Sequence, residues 1–256
     1  AGINFFIGNN AEAIGVYDEA PWLSSAEPTF EAAEFREEAE RRLGRELTLS
    51  QASRYWMGQA FSWIASNPIE WIILEGRKFA YFFNRVEIPN NVSFYGVREY
   101  SPILRYLGWL NFGLIAPLGI IGLLLARKES GTAIPGLLVL GYLAASLIFF
   151  VAGEYRNPVL GVIIVYGAGA IVRIAGKIRQ RNIEGAQVAM IGILAMLMFC
   201  NIPWKLMKHI SSPRMDYFNW ASVSFARGDH INASLLFTAA LSWDPTWGEA
   251  HIQLAQ

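Results

Sequence analysis

Five short clusters set charged or amide side chains next to aromatics or prolines: Arg54-Tyr55-Trp56, Arg77-Lys78, Glu87-Ile88-Pro89-Asn90-Asn91, Arg98-Glu99-Tyr100 and Glu154-Tyr155-Arg156. The planar fork of an arginine grips phosphate through two parallel hydrogen bonds, and an aromatic ring offers a face to a sugar or a lipid chain. A protein that handles a lipid phosphate needs such groups at a membrane surface. Arg156, Arg77, Lys78, Arg54, Tyr155 and Glu87 are therefore the candidate contacts to a lipid phosphate or its sugar. The competing account is structural: interfacial anchoring and internal ion pairing, including a pair between Glu154 and Arg156.

Other chemistries find no support in the residues. There is no phosphate-binding Gly-rich loop followed by Lys, no H-E-x-x-H, no G-x-S-x-G and no paired cysteine motif. The three histidines, His209, His230 and His251, are widely spaced and read as surface residues. Cys200 is the one cysteine, which permits no intrachain disulfide and no multi-cysteine metal site. Formal net charge is zero, so no basic field points to nucleic acid. No cofactor motif is evident, and a divalent metal is left open.

The elements that must position the clusters are helical and largely apolar. Apolar residues make up 54% of the chain and charged ones 16%, and the apolar ones fall in long blocks. Four such runs stand in series, at Leu107 to Ala126, Thr132 to Ala152, Val159 to Val172 and Ala186 to Trp204. Each is long enough, or nearly so, to cross a bilayer, and four together predict membrane spans. Pro117 and the glycines of the first run are tolerable where neighbouring groups satisfy the freed backbone. Tyr106 and Trp109 sit at the aromatic-belt position, and Arg173 could reach an interface past the third run.

Arg127 and Lys128 lie between runs one and two, and Arg173, Lys177, Arg179 and Arg181 between three and four. The positive-inside rule puts these links in the cytoplasm, so both polar ends and the Glu154–Arg156 link share the outer side. Before the runs, residues 1–26 carry turn signals at Gly8-Asn9-Asn10 and Pro21-Trp22. A charged helix is expected from Glu27 to Leu43, stopped by Gly44. A second, capped by Thr48 or Ser50, runs to Ser66. A third, with Asn67 as N-cap and Pro68 in its first turn, runs to Phe83. It reads as a helix lying in the headgroup plane, aromatic side down and cations toward phosphates, or as a soluble core helix.

From Tyr217 the pattern becomes a soluble helical pair. Tyr217, Trp220, Ala221 and Ser224 stand where a tetratricopeptide repeat has its W-x2-L-G-x2-Y helix, with Trp, Ala and Ser replacing Leu, Gly and Tyr. Ala233, Phe237, Ala240 and Pro245 match the second helix and its stop, and Gly228-Asp229 makes the turn. His251, Leu254 and Ala255 look like the start of a further repeat. One repeat cannot bury its apolar face alone. With Ala1-Gly2-Ile3-Asn4 at the other end, the sequence reads as part of a longer chain. The expected organisation is all-α: a helical outer region over 1–106 with an interfacial helix, four transmembrane helices over 107–204, and a TPR-like repeat over 205–256.

Several blocks resemble bacterial membrane glycosyltransferases of the GT-C type, relatives of protein mannosyltransferases and of the aminoarabinose transferase that modifies lipid A. Gly2-Ile3-Asn4-Phe5-Phe6-Ile7-Gly8-Asn9-Asn10 is similar to the family's G-x-N-F-Y-x-G-N-N stretch. Ser53 to Trp56, Asn84 with Glu87 to Asn91, and Tyr100-Ser101-Pro102 look like further blocks. Phe149 to Val159 resembles its F-F-V-x-x-R-Y-R-x-P-x segment, with Glu154 where the first Arg is expected, so Arg156 alone carries the phosphate role. The likeness covers roughly residues 1–175, and some members carry C-terminal tetratricopeptide repeats.

The resemblance implies sugar transfer with inversion, from a polyprenyl-phosphate donor to an envelope acceptor, at the outer face of the inner membrane. It also implies a catalytic Asp in the first outer loop, which no residue here matches. The partners implied are the lipid bilayer, the lipid-linked donor and a protein bound by the repeats, with no nucleic acid. A non-catalytic membrane protein that recruits partners through its repeats is the second hypothesis, and a polymer ligase the third.

Overall fold

Local signals account for most helix ends. The computed structural model describes residues 1–18, 20, 22–23, 28–89, 93–211 and 213–255. Pro21 of the expected turn, Glu27 at the expected helix start, and Asn90 and Asn91 of the third cluster lie outside the described residues. So does the side chain of His209. Among the described residues the chain is all-helical, with one isolated parallel bridge between Val16 and Val151.

Residues ahead of the expected Gly8-Asn9-Asn10 turn form helix α1 (Gly2–Gly8), and bends follow it at Asn9 and Asn10. Helix α2 is Pro28–Leu43, and Gly44 ends it at φ +67, a conformation that favours glycine. Thr48 rather than Ser50 caps α3 (Leu49–Ser66): its hydroxyl accepts from the Gln51 N–H while the Gln51 side chain accepts from the Thr48 N–H. Pro68 opens α4 (Pro68–Phe83). Asn67, expected as its cap, turns its side chain back to the Trp63 carbonyl at the end of α3 instead.

Later elements are α5 (Phe94–Tyr100), α6 (Pro102–Leu107), α7 (Phe112–Ala126), α8 (Ala133–Ile148), a 3-10 turn (Gly153–Arg156), α9 (Asn157–Arg179) and α10 (Ile183–Cys200). The chain ends in α11 (Lys205–Ile210), α12 (Arg214–Ala226), α13 (His230–Trp243) and α14 (Gly248–Leu254). Two units form. One holds Ala1–Arg85 with Gly113–Asn201, the other Val86–Phe112 with Ile202–Gln256.

In the first unit, Gly153–Arg179 and Ile183–Cys200 are long and apolar enough to cross a membrane. At about 1.5 Å per residue, the 23 residues of α9 span roughly 34 Å, more than the ~30 Å hydrocarbon core. Helices α7 and α8 are apolar but shorter, with 15 and 16 residues. The first expected run is broken after Leu107, where Gly108 to Asn111 separates α6 from α7. The second stops at Ile148, and Val151 leaves the helix to donate its N–H to the Gly15 carbonyl. The third, expected to be short, is the longest helix of the four.

The apolar helices pack through small residues. A Cβ on Gly119 or Gly122 of α7 would overlap the Ile163 or Tyr166 carbonyl of α9, so the two backbones run in direct contact. Helix pairs in lipid associate in this way, because no hydrophobic drive holds them. Pro117 cannot donate to the Gly113 carbonyl, and the Asn201 side-chain amide donates to that carbonyl at 3.1 Å. Arg173 reaches across to Glu129 with two hydrogen bonds, at 2.7 and 3.2 Å.

In the second unit, Ser93 caps α5 and Ser101 caps α6. Asp229 caps α13 after a turn at Gly228, φ +79. Ala221, Ala233 and Phe237 are buried where α12 meets α13, with Phe218 and Phe225 packed against them.

Candidate functional site

Blocks far apart in sequence converge in the first unit. The Gly2 N–H donates to Ser53 Oγ at 3.0 Å, joining α1 to α3. Gly8 lies against the Phe149 carbonyl so closely that any Cβ would overlap it. Asn9, 1% exposed, donates its amide to the Phe5 carbonyl at 2.9 Å and the Ile148 carbonyl at 2.8 Å. Its Oδ1 accepts from Trp71 Nε1 and Lys78 Nζ, each at 3.2 Å. Both donors and both lone pairs of this side chain are satisfied.

Lys78 is fully buried. Besides Asn9, its ammonium donates to Glu75 at 2.7 Å and to the Leu147 carbonyl at 2.8 Å. Three protons meet three acceptors. Leu147 and Ile148 are the last residues of α8, whose terminal carbonyls have no partner within the helix and carry the negative end of its dipole. Lys78 and Asn9 together close that end. Burial pushes the Lys78 ammonium below the usual lysine range, opposed by Glu75, and pushes the Glu75 carboxyl above the usual range, opposed by Lys78 and Trp71.

Arg156 does the converse. At 2% exposure it donates through Nη1 to the carbonyls of Asn84 at 2.7 Å and Phe82 at 3.4 Å, at the end of α4. Helix α4 thus supplies the cation that closes α8, and the turn after α8 supplies the cation that closes α4. Glu154 is exposed and Arg156 is buried.

The remaining candidates separate by exposure. Arg54 on α3 and Arg77 on α4 are exposed, and Tyr155 is half-buried against Phe150, ring centroids 6.1 Å apart. Glu87 belongs to the second unit, where its N–H donates to the Tyr95 hydroxyl. Helix α4 has a covered and an open face, with Phe79 on the exposed side. Tyr81, Phe82 and Phe83 are buried, whereas Ile69, Ile72 and Ile73 are exposed.

Of the residues matched to a repeat, Ala221, Ala233, Phe237 and Ala240 are buried and Pro245 is exposed. Tyr217 and Trp220 stack edge-on at 5.5 Å, and Trp220 meets Tyr100 of α5 at 5.2 Å. The ring that faces α13 is Phe218, 5.5 Å from Phe237, a residue that matching the repeat pattern passes over. Arg214 ties α12 to the end of α13 through Asp244 at 2.6 Å and lies over the Trp247 ring at 4.9 Å. Burial pushes the Asp216 carboxyl above its usual range, opposed by Ser93 and the Gly96 backbone at the start of α5.

Asn9, Glu75 and Trp71 complete the cluster around Lys78 and were not among the candidate residues. The spacing of Glu75 and Lys78, three residues apart on one helix face, was the available signal. No family model, curated protein or solved structure matches the chain.

Proposed function

We propose that this chain is the membrane-embedded part of a glycosyltransferase that takes a sugar from a polyprenyl-phosphate donor and passes it to an envelope acceptor. The observation that carries the reading is the convergence of the blocks around residues 2–10, 53–56, 84 and 149–159, joined by the Gly2–Ser53, Asn9–Ile148 and Arg156–Asn84 bonds. Segments with no local reason to meet build one rigid frame between apolar helices. The bilayer is supported by exposure: 22% of the most apolar window in Gly153–Arg179 and 17% of that in Ile183–Cys200 is buried. A core helix of a water-soluble protein would be mostly covered. On this reading α7 to α10 all cross the inner membrane. The Arg173–Glu129 pair keeps the α7–α8 link beside the charged end of α9, as alternating spans require. The two polar regions face the outer side.

The buried cations hold backbone carbonyls, so Arg156 and Lys78 act as positioning residues. Exposed Arg54 and Arg77 are the phosphate contacts. The test is sugar transfer from a polyprenyl-phosphate donor by the full protein in proteoliposomes. Arg54→Ala and Arg77→Ala each raise the donor KM about tenfold, as loss of a charge-assisted hydrogen bond of ~1.5 kcal/mol or more requires, and leave Tm unchanged. Arg156→Ala lowers activity and Tm together. Transfer that is absent, or unaltered in both exposed variants, refutes the reading.

A second reading, a membrane-held repeat protein that recruits a partner, is favoured by Ile231 and Leu235 of α13, 80% and 67% exposed and four residues apart on one face. It requires that deletion of 217–256 abolish partner capture while Arg54 and Arg77 variants remain neutral.

A further inference from the structure

A cleft of about 280 Å³ opens in the first unit between α1, the loop that follows it and α3. It is lined by Trp22 and Trp63, by Gln59 and Glu12, and by Asp18 and Arg42. None of these belongs to the cluster around Asn9, Lys78 and Arg156. We propose that this cleft binds a neutral or amino-sugar ring, at a place separate from any lipid-phosphate contact.

The wall is pre-organised. Trp22 stacks on Trp56 with centroids 5.5 Å apart and planes 12° from parallel. Trp56 is fully buried and pinned by its indole N–H to the Phe35 carbonyl at 2.8 Å. The Arg42 guanidinium lies 5.0 Å from both indole centroids and is held there by its Nε bond to Glu38 at 2.7 Å. A wall already fixed in place loses little freedom when a ligand arrives. The first residues after α1 are tied to it: Asn10 donates to the Phe6 carbonyl at 2.8 Å and accepts from the Glu12 N–H at 2.7 Å.

The opposite side presents groups with nothing to hold. Gln59 and Trp63 are four residues apart on α3, so they lie one above the other on the same face. The half-buried Trp63 ring has no ring partner among the described residues, and the exposed Gln59 amide has no hydrogen bond there. A pyranose has an apolar C–H face and a rim of hydroxyls. It needs a flat aromatic surface with planar donors and acceptors at its edge, which Trp63, Gln59 and the Glu12 carboxylate supply.

Charge narrows the class. The lining carries the exposed Glu12 carboxylate, and its Arg42 guanidinium already serves Glu38 at 2.7 Å, which disfavours a phosphate, sulfate or uronate. The helices α1 and α3 also use their backbone groups internally, which leaves no strand edge for an extended peptide. The volume, at the small end for ligand clefts, suits one sugar ring with its neighbours outside. The inference stands whether or not the chain transfers sugar.

Binding by the full chain in nanodiscs, followed by saturation-transfer NMR and calorimetry, tests this with triacetylchitotriose and maltotriose as probes and glucuronate and inorganic phosphate as controls. Expected is saturable binding of at least one neutral probe, weakened about tenfold or more in both Trp63→Ala and Gln59→Ala. Their Tm values stay within about 2 °C of the parent, since neither side chain bonds to the frame. No saturable binding of either neutral probe overturns the proposal. So does binding that both variants leave unchanged, or a preference for glucuronate or phosphate. Activity of Trp63→Ala in the transfer assay is scored separately, so loss of the cleft and loss of transfer are distinguishable.

Discussion

Replacing Lys78 with methionine keeps most of the side-chain volume and removes only the ammonium. Two groups are then stranded. The Glu75 carboxylate, with 20% of its side chain exposed, loses the cation 2.7 Å away, and the Leu147 carbonyl at the end of α8 loses a donor at 2.8 Å. Breaking a buried ion pair by removing one partner costs about 3–5 kcal/mol, and orphaning a buried carbonyl about 1–3 kcal/mol. The variant no longer has to desolvate an ammonium, which offsets part of this. A net loss of about 3 kcal/mol follows, and for a unit of this size that lowers Tm by roughly 6–12 °C.

Thermal unfolding of the full chain in detergent micelles, followed by circular dichroism, reads the shift directly. A second substitution sharpens the test. In Lys78→Met with Glu75→Gln the stranded charge is gone, so roughly half of the loss should return. The pH dependence has a definite sign. Glu75 already has its carboxyl raised above 4.5 by burial, and without Lys78 it rises further. Between 4.5 and that raised value the native state binds more protons than the unfolded one. Stability of Lys78→Met therefore falls as pH rises through the window and recovers on acidification. A Tm change under about 2 °C, or a double variant no better than the single one, would show that Lys78 does not close α8.

Two further outcomes are expected. Asn201→Ala leaves the Gly113 carbonyl without its amide donor and should cost about 1–3 kcal/mol, whereas in a Pro117→Ala background, where the helix supplies its own N–H, the same change should cost much less; equal costs in the two backgrounds in a thermal-melt cycle refute the compensation. Glu38 accepts from Arg41 first and also Arg42, which hold its pKa down to about 2, so its stabilisation is present above pH 4.5 and lost as pH falls from there toward 2. Arg41 is 72% exposed, so solvent screening keeps the effect small, and the Tm gap to Glu38→Gln should be open at pH 6 and closed near pH 2.

Helix boundaries set by neighbours in sequence were legible. The Thr48–Gln51 cap, Gly44 after Leu43, and Pro68 after Asn67 each act within a few residues, and their types announce them. The length of the apolar helices was only partly legible. Hydropathy follows apolar side chains across a break: Gly108 to Asn111 interrupts the first run, and Phe149 to Ala152 leaves the second without any change in polarity. The roles of the cations were least legible. Lys78 and Leu147 are 69 residues apart, Asn9 and Ile148 are 139 apart, and no local pattern marks a carbonyl that will need a donor. Cations near aromatics fit a phosphate site and a helix end equally well, because both present concentrated negative charge.

Burial separates those two uses. A cation with its protons committed to fixed carbonyls would have to abandon them to meet a ligand, exposing helix ends where water is scarce. Lys78 is in that position, and Arg156, 2% exposed and bonded to two carbonyls, is close to it. Their bonds serve the frame: α4 cannot shift along α8 without breaking one closure or the other. On the proposed reading, such a frame is what exposed Arg54 and Arg77 need, since a charged contact discriminates only when its backbone is fixed. The family-like blocks therefore divide into an inner set that fixes the backbone and an outer set that can touch a ligand. Substitutions in the inner set should move Tm and activity together, and those in the outer set activity alone.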